Sequence, residues 1–219
     1  MKLLANNPGN LDKSELVAQF IARRPLLDEL LRELAQPGRS HHLIVATRGM
    51  GKTTLLHRLR YAIEDDPTLS ARYVAIQFPE EQNNVSDIAD FYLNCLDALA
   101  DWYEKRGETG SSARIDRLVD EVKSSHNLRQ EAREGFVREL RALGRGLVLP
   151  VDNIERIIED LPDEQAWDFR GLLMEEPLVL VAASTQNVDA TFQHDRAFYE
   201  FFHEHEMGGL TEEETRAVL

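Results

Sequence analysis

The chain has 219 residues and a formal net charge of −14. That length suffices for one α/β domain with a sizeable core, while the acidic balance excludes nucleic-acid binding through the overall field of the chain. The single cysteine, Cys95, excludes an intramolecular disulfide and fits a reducing cytoplasm. No apolar run reaches the length of a membrane span, and the amino terminus lacks the apolar stretch of a signal peptide.

Residues 1–13 are polar and broken by Pro8 and Gly9, which predicts a flexible lead-in. Phe20-Ile21-Ala22-Arg23-Arg24 then precedes Leu27, Leu30, Leu31 and Leu34 at helical spacing, and Pro37-Gly38 stops that helix. His41 and His42 follow and are expected to face solvent. The apolar run from His42 to Ala46 ends at Thr47-Arg48-Gly49-Met50-Gly51-Lys52-Thr53-Thr54. A helical pattern opens at Lys52, with Leu55, Leu56, Leu59 and Ile63 on one face. Tyr73–Phe78 reads as a second strand, stopped by Pro79.

Val85–Arg106 predicts a long helix whose Ile88, Tyr92, Leu96, Leu99 and Tyr103 share a face. Cys95 lies inside that pattern as a small buried hydrophobe. Gly107–Ser112 reads as a linker. Two charged amphipathic helices come next, one carrying Ile115, Leu118 and Val122, the other Leu128, Ala132, Phe136 and Leu140. Segment 107–145 is therefore a charged helical part of the domain, with a solvated outer face or a partner-docking one.

A third strand, Leu147–Val151, runs into Asp152-Asn153, and its Pro150 lacks a ladder donor. Pro162 separates a short helix from one at Asp163–Met174. The fourth strand, Leu178–Ala182, leads into the polar residues Ser184, Thr185 and Asn187. A short aromatic helix is expected over Ala197–His205 and a fifth strand over Met207–Leu210. Trp102 and Trp167 fall in helical patterns and read as core. His203-Glu204-His205-Glu206 would put both imidazoles on one side if extended; no second cluster completes a metal site, and a surface loop or helix end is the expected place. Thr211 and Glu214 form a capping box that opens a helix five residues before the chain stops. A longer protein is expected to continue from there.

Strands alternating with helices predict a parallel sheet covered on both faces, with ligands at the carboxyl ends of the strands. Three such ends carry polar residues: Ala46–Thr54, Asp152 and Thr185. The first has the form of a phosphate-binding P-loop. Gly49 and Gly51 let consecutive N–H groups turn toward an anion, and the helix start adds free donors and partial positive charge. Lys52 is suited to the terminal phosphates and Thr53 to Mg²⁺. Ala46 takes the place of the usual first glycine, which alanine fills if its φ is negative. Asp152, about a hundred residues further on, matches the acidic residue that holds the Mg²⁺ shell. Asn153 stands where a glutamate usually polarises water, and asparagine cannot take a proton at neutral pH. Glu155 is close enough in sequence to substitute, and Thr185 has the place of a γ-phosphate sensor.

The order of these elements resembles the AAA+ and STAND-like P-loop ATPases, in the branch of archaeal and eukaryotic Orc/Cdc6 initiators, from about Val17 to Leu219. Phe20–Arg24 is similar to the box that borders the adenine in that family, with Ile21 as base contact. Thr47–Thr54 is similar to its P-loop, contributing Thr47, Arg48, Gly49, Met50, Gly51, Lys52, Thr53 and Thr54. Asp152-Asn153 corresponds to its Asp-Glu pair and Ser184-Thr185 to its first sensor. The resemblance implies a P-loop NTPase three-layer sandwich with strand order 5-1-4-3-2, ATP with Mg²⁺ held by Thr53 and Asp152, and an α-helical lid of which residues 211–219 are the truncated start. The ATPase core then spans 14–210. Arginine fingers in the family come from a neighbouring subunit, and Arg196 is a candidate here.

The function expected is a nucleotide-driven ATPase switch in a larger protein, with slow or partner-stimulated hydrolysis. Lys52, Asp152, Asn153, Glu155 and Thr185 form the catalytic set. Self-association or a protein partner is implied, no membrane, and nucleic acid only through regions beyond this chain. The alternatives are a non-hydrolysing scaffold bound to ATP or ADP, and a DNA-loading Orc/Cdc6-like subunit. A small-molecule kinase is a remote fourth, since no acceptor site is evident.

Overall fold

A computed structural model describes residues 11–78 and 87–218. The first helix, α1 (Lys13–Gln19), starts at a reciprocal cap: Asp12 Oδ1 accepts the Glu15 N–H at 2.8 Å, and Glu15 returns a carboxylate oxygen to the Asp12 N–H at 3.4 Å. The end of the expected lead-in is thus a capped helix start, while residues 1–10 lie outside the described residues. Then follow α2 (Arg24–Ala35), β1 (His42–Val45), α3 (Lys52–Asp65), α4 (Pro67–Arg72) and β2 (Tyr73–Ala75). The helices α5 (Ile88–Glu104), α6 (Thr109–Lys123) and α7 (Leu128–Ala142) precede β3 (Gly146–Val151). The rest comprises α8 (Glu155–Ile158), α9 (Asp163–Glu175), β4 (Leu178–Ser184), α10 (Asp189–Phe192), β5 (His203–Glu206) and α11 (Glu212–Val218).

The five strands form one parallel sheet in the order β2-β3-β4-β1-β5, the expected 5-1-4-3-2 read from the opposite edge. Alternation along each strand divides the core into two apolar layers. Ile44, Val148, Val179, Val181 and Ala183 face Leu27, Leu30, Leu55, Leu56 and Leu59 of α2 and α3. Leu43, Leu147, Leu149, Leu178 and Leu180 face the other way, toward Phe91, Tyr92, Phe136 and Phe169 of α5, α7 and α9. A three-layer sandwich results. Cys95 is fully buried in that second layer, and burial pushes its thiol well above the usual range.

Pro150 is accommodated by the shortness of β2. The Val148 carbonyl accepts the Ile76 N–H at 3.2 Å, so the polar backbone groups of residues 146, 148 and 150 face the β2 side. β2 ends at Ala75, and the donor that Pro150 lacks falls beyond the end of that ladder. The second strand is accordingly half as long as its apolar run suggests, and Pro79 and Val85 lie outside the described residues. Tight β2–β3 pairing makes Gly146 specific: a Cβ there would come within 2.8 Å of the Tyr73 ring. Gly146→Ala is expected to cost about 1–3 kcal/mol, read as a lower urea midpoint with an unchanged slope.

Several local expectations are corrected. Gly107–Ser112 is not a linker throughout, because α6 already begins at Thr109. Ala197–His205 is not a helix. Arg170 donates to the Ala197 carbonyl and, at 3.4 Å, to that of Tyr199, taking acceptors a helix would use internally, and Glu200 turns the chain with φ 47°. The fifth strand is His203–Glu206 in place of Met207–Leu210, since the ladder with β1 pairs His42 with His203 and Val45 with Glu206. The His-Glu-His-Glu run is therefore the sheet's edge strand. Trp167 is 51 % exposed and is not core, although the partly buried Trp102 packs against the α5 layer.

His41 and His42 do not face solvent. His41 is buried, stacks on Phe201, and accepts the Leu180 N–H through Nδ1 at 3.0 Å, so its Nε2 carries the proton offered to the Leu173 carbonyl at 3.2 Å. Burial brings its pKa down to about 4. His42 is the first residue of β1 and 1 % exposed.

Candidate functional site

The carboxyl ends of β1, β3 and β4 lie side by side in the sheet, and the polar residues after each of them meet there. Beyond β1 the chain turns through Gly49 at φ 87° and Gly51 at φ 90°, both in the left-handed region where glycine is unstrained. Ala46 does not have positive φ, so alanine fills its place without strain. No side chain caps α3, so the donors of its first turn are left for a ligand of the loop. Lys52 is 6 % exposed, and its ammonium donates to the Ala46 carbonyl at 2.6 Å and the Thr47 carbonyl at 3.3 Å. Burial lowers its pKa, and the carboxylates of Asp152 and Glu155 pull it back up.

Thr53, the next residue, donates its hydroxyl to Asp152 Oδ2 at 2.5 Å across 99 residues of sequence. The other oxygen of Asp152 accepts the Asn153 N–H at 2.9 Å. Asn153 itself is left-handed, with φ 53°. Asparagine tolerates that conformation better than glutamate does, and the turn it makes leads directly into α8. Glu155, the first residue of α8, is thereby buried beside the cleft. One of its oxygens accepts the Thr185 hydroxyl at 2.8 Å and the Thr185 N–H at 3.3 Å, while Oε2 is buried without a hydrogen-bond partner.

These groups line a cleft of about 630 Å³: Arg48, Gly49 and Gly51 to Thr54 on one side, Asp152, Asn153, Glu155, Arg156 and Thr185 on the other. The structure thus brings together most of the sequence-selected residues. Thr47 contributes a carbonyl to Lys52, and Met50 packs on the α2–α3 layer. Ile21 stands apart from the cleft lining and is 39 % exposed. Ser184 turns its hydroxyl onto the Gln186 carbonyl at 2.6 Å and is not available to a ligand there. Asn187 and Arg196 line a neighbouring cleft, where Arg196 pairs with Asp163 at 3.4 Å.

One cleft residue escaped the sequence reading. Arg156 follows Glu155 on the cleft wall, and its only sequence signal was that adjacency. Arg23, part of the Phe20–Arg24 box, is left-handed at φ 66° immediately before α2 and donates to the Gly208 carbonyl at 2.6 Å, while its own N–H meets Glu214 at 2.7 Å. The expected Thr211–Glu214 capping box is present, with reciprocal bonds of 2.9 and 3.2 Å. The N–H donors of Thr211 and Arg23 hold the Glu214 carboxyl below its ordinary 4.5. A lowered folded-state pKa means that the contribution is present above pH 4.5 and is lost as pH falls through the folded value. Amides of α11 are therefore expected to lose hydrogen-exchange protection below pH 4.5, and Glu214→Gln should show that loss already at pH 6.

The donor set suits a magnesium nucleotide: backbone N–H groups and an ammonium for phosphate, and paired hydroxyl and carboxylate oxygens for a hard cation. No protein-family model and no curated protein matches the chain. Among solved structures it is similar to Cdc6p of Pyrobaculum aerophilum, at 15 % identity and TM-score 0.53 over 93 % of this chain. It is also similar to ORC1 of Aeropyrum pernix in complex with DNA, at 13 % and 0.57 over 93 %. A. pernix ORC2, in ADPNP–ADP complexes, aligns at 13 % and 0.53 over 84 %. The chain spans about half the length of these proteins, 51 %, 51 % and 47 % respectively. Its parallel five-stranded sheet with a glycine-turned loop between β1 and α3 is a fold it shares with these Cdc6 and ORC structures.

Proposed function

We propose that the chain binds ATP with Mg²⁺ and serves as a nucleotide-driven switch in a larger protein, with slow or partner-stimulated hydrolysis. The observation that carries this reading is the meeting of Thr53 and Asp152 at 2.5 Å beside the buried Lys52. Lys52 and the Gly49–Thr54 amides bind the phosphates. Thr53 and Asp152 hold Mg²⁺, which neutralises charge on the phosphate oxygens. Glu155, positioned by Thr185, orients the attacking water and receives its proton; Asn153 can orient water but cannot take that proton.

Residues from Thr211 onward begin a helical lid, and the Arg23 bonds to Gly208 and Glu214 connect that lid to the segment before α2. The neighbours suggest self-association or a protein partner. With a net charge of −14, DNA contact such as that of the ORC1 complex is not carried over to this chain. The single buried Cys95 fits a reducing cytoplasm. No described helix is long and apolar enough to cross a membrane.

A second reading, a scaffold that binds nucleotide without turnover, is favoured by the left-handed Asn153 in place of a glutamate. Mg·ATP titration by calorimetry, followed by phosphate release, separates the two. Binding with turnover supports the switch, binding without turnover supports the scaffold, and absence of binding overturns both.

A further inference from the structure

A second cluster of ligating side chains lies at the β1–β5 edge of the sheet, built from segments far apart in sequence. His203 and His205, two residues apart on β5, project on the same face as His42 of β1. The Nδ1 atom of His42 is 3.1 Å from Nε2 of His205, and ligating nitrogens of all three rings lie within 4.8 Å of one another. Helix α2 covers this edge with Glu29 and Glu33, one turn apart. Glu33 Oε2 is 3.1 Å from His203 Nδ1 and 3.8 Å from His42 Nδ1, and Glu29 Oε1 is 3.9 Å from His205 Nδ1.

We propose that His42, His203, His205 and Glu33 bind a divalent transition-metal ion, zinc foremost, and so fasten the edge strand β5 to β1 and α2. Tetrahedral zinc with nitrogen and oxygen ligands separates neighbouring ligand atoms by about 3.3 Å. The 3.1, 3.1 and 3.8 Å pairs already fall around that spacing. His205 directs one nitrogen at His42 and the other at the Glu29 carboxylate, the arrangement by which an outer carboxylate orients a metal-bound imidazole.

The surroundings favour a cation. Burial lowers the pKa of both His42 and His205. The charged and titratable groups facing them are His41 on β1, His203 on β5, and the carboxylates of Glu29 and Glu33 on α2. Two carboxylates beside the ring nitrogens favour a cation between them. A hydrogen bond between His42 and His205 alone explains neither His203 nor the two glutamates. It also leaves unexplained why an edge strand should read His-Glu-His-Glu, a run without the β-branched and aromatic residues that strands favour. Three imidazoles and one carboxylate select a borderline ion over Mg²⁺ or Ca²⁺.

The test uses the untagged, chelator-stripped chain without nucleotide, titrated with Co²⁺ in excess Mg²⁺ so that oxygen-ligand sites are already filled. One equivalent of Co²⁺ with the visible absorption of four-coordinate cobalt, displaced by one equivalent of Zn²⁺, is expected. His203→Ala, at a half-exposed position, is expected to weaken binding at least tenfold while circular dichroism stays unchanged; Glu29→Gln should weaken it up to about tenfold. Zn²⁺ should raise the Tm of the parent chain and not that of His203→Ala. Absence of stoichiometric cobalt uptake, or equal uptake by His203→Ala and the parent, overturns the proposal. Neither readout depends on ATP binding.

Discussion

Lys52→Ala is expected to weaken Mg·ATP binding by about a hundredfold or more while leaving the fold intact. The lysine sits at the start of α3, 6 % exposed, with its ammonium held by the carbonyls of Ala46 and Thr47. Those bonds keep the charge inside the loop, where the effective dielectric is lower than in water. Phosphate oxygens offer the same ammonium a charged partner in place of neutral carbonyls. Losing hydrogen bonds between charged groups costs about 3 kcal/mol, which corresponds to roughly a hundredfold in Kd. The α3 core contacts are made by Leu55, Leu56, Leu59 and Ile63, so helix and sheet should persist. Calorimetric titration gives the affinity, and thermal unfolding without nucleotide checks the fold. An affinity within threefold of the parent would show that the loop does not bind phosphate through Lys52. Lys52→Arg is not expected to restore binding, because a planar guanidinium does not replace a compact ammonium as a phosphate ligand.

The glycine-turned loop was legible because its requirements are local. Two glycines with positive φ, a lysine at the helix start and a hydroxyl next to it must follow one another in sequence, and Gly49–Thr53 shows all of them. Asp152 was legible for a similar reason, since an apolar run ending in an acid marks a strand's carboxyl end. Glu155 was only half legible. Its place depends on the backbone of Asn153, and an asparagine that reads as a missing base is in the structure a turn-former. The left-handed turn and the short α8 behind it cannot be read from spacing.

The carboxyl-terminal part misled for the opposite reason. Phe198, Phe201 and Phe202 recur at helical intervals, yet they pack on one another and on Phe169 from a turn held by Arg170. Polar residues hid β5, because an edge strand needs only one neighbour and here pairs with β1 alone. His42 shows the limit most plainly. Its local pattern does not announce that β5 will close over it, since His205 is 163 residues away, nor that the α2 face carrying Glu33 will turn toward it. Periodicity also says nothing about which side of a helix the core takes, and so Trp167 lies on the outside of α9.

Glu155→Gln is the second large effect, and it separates binding from chemistry. Glu155 is hydrogen-bonded to Thr185, and a glutamine keeps both its size and an acceptor for the Thr185 hydroxyl. Mg·ATP affinity is therefore expected to stay within about threefold. Turnover is another matter. Proton transfer to a positioned carboxylate contributes about 10²–10⁴ in rate, and the neutral amide cannot accept that proton, so phosphate release is expected to fall by at least about a hundredfold. Asn153→Gly serves as the counterpart. Glycine takes the left-handed φ of 53° without strain, and Glu155 keeps its place, so turnover should stay within about threefold. The opposite pattern, with Glu155→Gln active and Asn153→Gly inactive, would move the water-positioning role to Asn153. Thr185→Val removes the hydroxyl bond at 2.8 Å and retains the 3.3 Å backbone one, so it should slow turnover less than Glu155→Gln does. That graded order follows only if the carboxylate acts on water and the threonine acts by holding the carboxylate.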